Sequence, residues 1–154
     1  MTPSTITPSQ VRIALLLREE IALLDVRHEA AFATGHPLFA ANMAVGRIEL
    51  EAEARLPRKD APVVVYDSGE CLVAEAADRL KGLGYTNVRA LGGGLQAWKD
   101  AGFELFQDVN SYAKAFGELV ESRRHTPSLS AEEVSQLIAR KANISILDVR
   151  RFDE

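Results

Sequence analysis

The chain has 154 residues, enough for one domain of ordinary size with some length left over. With 47% hydrophobic and 26% charged residues, its composition excludes disordered, collagen-like and disulfide-scaffold classes. The net charge is −4 and no segment interleaves basic with aromatic residues, so we predict no nucleic-acid partner.

The first predicted elements are a helix and a buried strand. The segment Thr7-Pro8-Ser9-Gln10 is typical of a helix start, because a side-chain oxygen can cap free N–H groups ahead of the apolar-periodic run from Val11. Residues 21–26 are apolar almost throughout. That composition indicates a parallel strand buried on both faces.

Strands and helices alternate through the middle of the chain. Four β-favouring residues at 63–66 predict a strand, and the Ala-rich residues 73–83 predict a helix that follows the loop 67–72. A short strand at 88–91, a Gly-Gly-Gly turn and a helix at 95–101 complete the pattern. The alternation predicts an α/β fold, a doubly wound parallel sheet with helices on both faces.

Residues 104–125 have a different pattern. Apolar and aromatic residues recur at helical spacing, and a polar stretch over 121–127 follows them. We interpret this part as a connecting helix and linker, whose apolar face packs on a neighbouring domain. The residues with helical spacing are Phe106, Val109, Tyr112, Phe116 and Val120.

An internal repeat begins 123 residues after its first copy. Leu24-Asp25-Val26-Arg27 recurs as Leu147-Asp148-Val149-Arg150, and the second copy stops at Glu154. We therefore predict a whole domain over 1–107, a linker helix and loop over 108–127, and the truncated start of a second copy over 128–154. A lone fragment cannot bury its strand, so we expect it to dock on the first unit, pair with another chain or be mobile.

Several motifs together resemble the rhodanese (sulfurtransferase) family over most of residues 7–107. The resemblance implies a compact α/β domain in which a loop cysteine takes sulfur from a donor such as thiosulfate, forms a persulfide and passes the sulfur to a thiophilic acceptor. It implies no cofactor, and it makes further rhodanese-like domains of the same chain expected partners. The motifs are the Leu24-Asp25-Val26-Arg27 segment, Phe32, Gly35-His36-Pro37, the strand, loop and helix over 63–80, Gly82-Leu83-Gly84-Tyr85-Thr86-Asn87-Val88, and the Gly-rich run from Leu91 to Trp98.

The candidate anion or substrate site is the loop of Asp67, Ser68, Gly69, Glu70, Cys71 and Leu72. A loop between a parallel strand and a helix can direct backbone amides at an anion. Aligned without gaps, the cysteine of the family falls on Asp67, and its loop-end basic or hydroxyl residue falls on Leu72. A carboxylate cannot form a persulfide, and its charge opposes a dianionic donor. We therefore expect a catalytically silent unit of a multi-domain sulfurtransferase, acting as a scaffold or docking module.

Two other functions stay open. Cys71 is the single cysteine, and it is either a displaced catalytic nucleophile that makes the unit an active sulfur carrier, or a small buried residue at the helix start. Alternatively, the acidic loop belongs to a non-enzymatic regulatory module that binds a protein partner or a cationic ligand.

The remaining polar residues are interpreted structurally. The family resemblance suggests that Asp25 and Arg27 form an ion pair that stabilises the fold. His28 and His36 lack a third ligand at metal spacing, so we predict no metal site.

Apolar stretches far shorter than roughly 20 residues predict no membrane span. The N-terminal residues lack the basic region of a signal peptide, and one cysteine permits no internal disulfide. We predict a cytoplasmic protein without a membrane partner.

Overall fold

Five parallel strands form one sheet in the order β1-β5-β4-β2-β3. The computed structural model describes residues 3–125 and 127–147. Strands β4 and β5 have the predicted bounds, and β2 lies inside the predicted strand over 21–26. The strands are β1 (Ser4–Ile6), β2 (Ala22–Asp25), β3 (Ala40–Asn42), β4 (Val63–Tyr66) and β5 (Val88–Leu91).

Helices connect the strands and cover both faces of the sheet. One face packs on α3 and α4 through side chains such as Leu24 and Val65, whereas the other packs on α1, α2 and α5 through Leu23 and Val64. The predicted doubly wound α/β fold is therefore confirmed. The helices are α1 (Pro8–Leu16), α2 (Glu29–Thr34), α3 (Ile48–Arg55), α4 (Val73–Gly82), α5 (Gly94–Asp100), α6 (Ser111–Arg124) and α7 (Ala131–Ala139), with a 3-10 turn at Val45–Arg47.

The start of α1 is fixed by its own sequence. Thr7 Oγ1 accepts a hydrogen bond from the Gln10 N–H at 3.2 Å, and Gln10 Oε1 accepts one from the Thr7 N–H at 3.0 Å. This reciprocal capping box satisfies N–H groups that the first turn leaves free. Val11 and Ala14 then face the core, which orients the helix on the sheet.

The chain divides into two compact units, Met1–Lys114 and Ala115–Glu154, with the division inside α6. In the second unit α7 begins at a capping box of Ser130 and Glu133. Residues 144–147 form no strand. The remainder of the repeat, Asp148-Val149-Arg150, lies outside the described residues. Within 3–125 and 127–147, no helix is both long and apolar enough to cross a bilayer.

A buried histidine holds the end of the first unit in place. His36 Nδ1 lies 2.9 Å from the Phe32 carbonyl oxygen, and Nε2 lies 2.8 Å from Ser111 Oγ. The imidazole is 1% exposed and stacks on the Phe32 ring. Burial lowers the pKa of His36 below its ordinary value. The neutral ring therefore fits this position better than the imidazolium does.

This lowered pKa predicts acid sensitivity. The unfolded chain binds the proton more readily than the folded chain, so His36 contributes stability above about pH 6.5 that is lost as pH falls toward the folded-state pKa. We expect the free energy of unfolding from urea titrations to fall between pH 7.5 and 5.5, by at most about 1.4 kcal/mol per pH unit for this group. His36→Gln should flatten that dependence relative to the exposed-site control His28→Gln. Equal slopes for both variants would contradict the prediction.

Candidate site in the loop after strand β4

The loop 67–72 lies where the sheet opens a crevice. Strands β2 and β4 are neighbours in the sheet. After β2 the chain continues to β3 on one side, and after β4 it continues to β5 on the other side, so it leaves the two strands in opposite directions. Such a switch point is where open parallel sheets hold their ligands, beyond the carboxyl ends of the strands. The loop begins at Asp67, directly after β4, and ends at Leu72, directly before α4.

The Asp67 side chain turns into the loop. Its carboxylate Oδ1 accepts a hydrogen bond from the Gly69 N–H at 3.1 Å, and Oδ2 accepts one from the Leu72 N–H at 2.7 Å. The residue is 7% exposed. The charge lies next to the N-terminus of α4, where the helix dipole is positive. This carboxylate therefore binds N–H groups that an external anion would otherwise need.

Glu70 adds a second internal carboxylate to the loop. Its Oε2 accepts a hydrogen bond from the Ser68 N–H at 2.6 Å. The N–H groups of Ser68, Gly69 and Leu72 are therefore all bound to carboxylates of the loop itself. Charge-assisted bonds of this kind are stronger than neutral ones. Together they hold these three N–H groups inside the loop.

Cys71 has a different environment from Asp67. Its side chain is exposed, and Sγ contacts the Gly69 carbonyl oxygen at 3.8 Å. The interpretation of Cys71 as a small buried residue is wrong, because the residue is exposed; its backbone is left-handed, with φ of 62°.

Helix α5 approaches the loop closely. The Leu95 N–H donates a hydrogen bond to the Asp67 carbonyl oxygen at 2.9 Å. A Cβ at Gly94 would lie 2.7 Å from that oxygen, and Gly94 has φ of +59°. The Gly-Gly-Gly turn therefore allows the helix to reach the loop, in agreement with its interpretation as a tight turn.

A buried ion pair lies beneath the strand ends. Arg27 Nη2 is 2.6 Å from Asp25 Oδ2, Arg27 Nε is 2.9 Å from Asp25 Oδ1, and Nη2 also donates to the Gly35 carbonyl oxygen. Burial opposes the guanidinium charge, but the hydrogen bonds and charge of Asp25 raise the pKa of Arg27 above its ordinary value. This geometry joins β2 to the turn after α2, as expected of a structural pair.

The sequence predicted Tyr66 as a strand residue and did not indicate that it lies buried beside the loop. Its phenol is fully buried, its oxygen has no hydrogen-bond partner within the described residues, and burial raises its pKa. The only sequence signal was a phenol at the last position of a buried strand, immediately before the loop.

The described residues offer no other site of comparable chemistry. Among 3–125 and 127–147, no group of three or more His, Cys, Asp or Glu side chains could hold a metal. A cleft of about 450 Å³ lies between α2, β3 and α3. Its arginines, Arg47 and Arg55, both pair with Glu51.

Comparisons with known proteins agree with this fold. The profile of the rhodanese-like domain family matches residues 11–101. The crystal structure of a thiosulfate sulfurtransferase from Pseudomonas aeruginosa is 58% identical with a TM-score of 0.90, over 98% of this chain and 29% of that one. A rhodanese-3-like domain of the Anabaena Alr3790 protein is 30% identical, covering 57% of this chain and 93% of that domain, with a TM-score of 0.54. A search of curated proteins gave no match.

The chain therefore belongs to the rhodanese-like domain family. It has a parallel α/β sheet, so the family and the fold expected from the motifs are confirmed. The chain spans less than a third of the length of the Pseudomonas protein that it matches.

The close approach at Gly94 predicts a large effect of a single methyl group. Gly94→Ala puts a Cβ against the Asp67 carbonyl oxygen and strains a left-handed backbone, so we expect a loss of about 3 kcal/mol in the free energy of unfolding. Gly82→Ala is the matched control, because a Cβ there meets nothing within 4 Å. The control should change stability by less than about 1 kcal/mol in urea titrations. Equal losses would contradict the packing described for α5.

Proposed function

We propose that this chain is a catalytically silent rhodanese-like unit of a longer sulfurtransferase, in which it serves as a scaffold or docking module. The position of Asp67 carries the proposal. Its carboxylate stands where the family has its cysteine and is bonded to Gly69 and Leu72 N–H groups. The similarity to a thiosulfate sulfurtransferase supports a sulfur-containing anion or a persulfide as the substrate of the longer protein.

The absence of a thiol at position 67 supports catalytic silence. In the family reaction a thiolate attacks the sulfane sulfur of thiosulfate, a sulfur–sulfur bond forms and sulfite leaves. A carboxylate oxygen cannot form that bond. Leu72 supplies neither a positive charge nor a hydroxyl group at the end of the loop, so the residues that would activate and bind the donor are both replaced.

Electrostatic repulsion also opposes binding of the sulfur donor. Two unit charges 4 Å apart repel by about 4 kcal/mol at an effective dielectric constant of about 20. Thiosulfate is a dianion, and it would meet the carboxylates of Asp67 and Glu70 in the loop. The gain from an ordinary hydrogen bond is only about 1 kcal/mol. Repulsion therefore outweighs any remaining amide contacts, and the loop excludes the donor.

The first test is sulfur transfer by the purified chain. After incubation with thiosulfate, we expect an unchanged intact mass and no cyanide-dependent formation of thiocyanate. A stable gain of one sulfur atom that disappears in Cys71→Ser would instead make Cys71 a sulfur carrier and reject the proposal. The Cys71→Ser chain is the matched control, because Cys71 is the only thiol.

Restoring the family residues tests the cause of silence. Asp67→Cys with Leu72→Arg, in a Cys71→Ser background, should form thiocyanate from thiosulfate and cyanide at a rate at least about tenfold above Leu72→Arg alone. The new thiol would take the sulfane sulfur and pass it to cyanide. A correctly folded double variant without any gain would contradict the assignment of silence to Asp67 and Leu72.

We also propose that residues 128–154 begin a second rhodanese-like unit. Local geometry repeats at the same spacing of 123 residues as the sequence does. The N-cap hydrogen bonds of Thr7 and Ser130 are both 3.2 Å long, from the N–H groups of Gln10 and Glu133. Helices α1 and α7 begin and end at corresponding positions, and each has nine residues.

The helix ends correspond as well. Arg18 and Lys141 both have a left-handed backbone, with φ of 57° and 53°. The next residue in each copy donates its N–H to the matching carbonyl, Glu19 to Ala14 at 2.9 Å and Ala142 to Leu137 at 3.0 Å. Chance similarity between two helices does not require the same cap, length and terminating turn, so these correspondences support a repeated unit.

A transplant within the chain tests the repeat. Residues 8–24 are replaced by 131–147, with Ala kept at position 14 in place of Leu137 to avoid overpacking. If 131–147 is the opening of a second copy, the chimera should fill the same core and unfold cooperatively, with a loss of about 1–4 kcal/mol. A control segment with the same residues in shuffled order should not fold. A chimera as unfolded as that control would contradict the proposal.

A further inference from the structure

The cleft between α2, β3 and α3 lies against the edge strand of the sheet. Its volume of about 450 Å³ is within the range of small-molecule sites. Glu29 follows β2, and Ala44 and Arg47 follow β3, so the cleft reaches the carboxyl ends of two strands, where parallel sheets hold ligands. Among its described lining residues there is no Cys, Ser or His. The cleft is therefore a place for binding and not for nucleophilic chemistry.

Two arginines of this cleft share one carboxylate. Arg47 Nε lies 2.6 Å from Glu51 Oε1, and Arg55 Nη1 lies 2.6 Å from Glu51 Oε2. Arg55 Nη1 also donates a hydrogen bond to the Asn42 carbonyl oxygen at 2.7 Å. The Glu51 side chain is 18% exposed, whereas the side chains of Arg47 and Arg55 are 64% and 41% exposed. Glu51 therefore fixes both guanidinium groups while they remain accessible.

The shared carboxylate leaves one positive charge without a counter-charge, because two guanidinium groups pair with a single acid. The contacts use Nε of Arg47 and Nη1 of Arg55, and the other guanidinium N–H groups have no hydrogen-bond partner within the described residues. These groups have the geometry that matches carboxylate oxygens. Because Glu51 already holds the two side chains, an anion would bind without the full entropic cost of ordering them.

The remaining lining limits the kind of anion. Phe32, Val109 and Tyr112 line the cleft, and the Tyr112 ring contacts the Phe39 ring edge-on with centroids 5.5 Å apart. Aromatic and aliphatic side chains of this kind pack on an apolar ligand body. The exposed Glu29 also lines the cleft, and its carboxylate repels additional negative charge. The lining therefore favours one negative charge on an apolar body over a polyanion.

We infer that this cleft binds a small organic monocarboxylate, with its carboxylate on Arg47 and Arg55 and its apolar body against Val109 and Tyr112. A single negative charge matches the one positive charge that the arginines leave uncompensated. A neutral molecule of the same shape would lack the charge-assisted hydrogen bonds, and a dianion would meet repulsion from the two lining glutamates. The inference is independent of the proposed function, because no residue of the loop 67–72 lines the cleft.

The test is an NMR titration of the full chain with phenylacetate, an aromatic ring that carries one carboxylate. We expect saturable shifts of the backbone amide signals of residues 40–47 and 109–112, with a dissociation constant of about 1 mM. The signals of residues 67–72 should not move. Phenylacetamide, a neutral molecule of similar shape, and sulfate, a dianion, should each bind at least about fivefold more weakly than phenylacetate.

Variants test the assigned residues. Arg47→Gln removes one guanidinium group and should weaken phenylacetate binding at least about fivefold. Glu29→Gln removes the opposing charge and should strengthen sulfate binding about twofold or more. Arg58→Gln is the matched control, because Arg58 is also an exposed arginine paired with a glutamate, Glu20. It should leave the dissociation constant of phenylacetate within about twofold, with circular dichroism showing an intact fold for every variant.

Three results would overturn the inference. The first is the absence of saturable shifts at residues 40–47 and 109–112, including the case in which shifts occur only at the loop 67–72. The second is equal affinity for phenylacetate and phenylacetamide, which would remove the role of the carboxylate. The third is an equal loss of affinity in Arg47→Gln and Arg58→Gln. Sulfate binding that Glu29→Gln leaves unchanged would overturn the preference for a single charge.

Discussion

The loop depends on one carboxylate that is bound to two backbone N–H groups. Asp67 connects the end of β4 to the first turn of α4 through the Leu72 N–H, and its own carbonyl oxygen receives the N–H of Leu95 from α5. Three elements therefore meet at one residue. The internal carboxylate stabilises the loop with the same N–H groups and helix dipole that could otherwise hold an anionic ligand. Stability of the loop and anion binding compete for the same donors.

The surrounding scaffold is independent of this competition. The Asp25–Arg27 pair connects β2 to Gly35, and Gly94 brings α5 to within hydrogen-bond distance of Asp67. Neither contact requires a thiol in the loop. These scaffold contacts can therefore keep the shape of a rhodanese-like unit whatever side chain stands at the start of the loop, because they do not involve that side chain.

Sequence reasoning succeeded where one short segment contains its own signal. The β-branched run at 63–66 and the alternation of strands with helices predicted β4 and β5. The end of that run placed Asp67 at the start of the loop. The sequence did not predict β1 and β3. These strands have three residues each and obtain their conformation from pairing with a neighbour, β1 with β5 and β3 with β2. The inward turn of the Asp67 carboxylate was also not predicted; it accompanies a left-handed backbone at Gly69 and Cys71.

The repeat separates local from long-range determinants within one chain. Helix α7 reproduces the capping box and terminating turn of α1 although it has no fully buried side chain among its described residues, so these features need only nearby sequence. Residues 144–147, the counterparts of 21–24, form no strand, whereas β2 pairs with both β3 and β4. A strand buried on two sides obtains its hydrogen bonds from its neighbours. Nearby sequence is therefore sufficient for the helix, whereas the strand depends on a sheet that surrounds it.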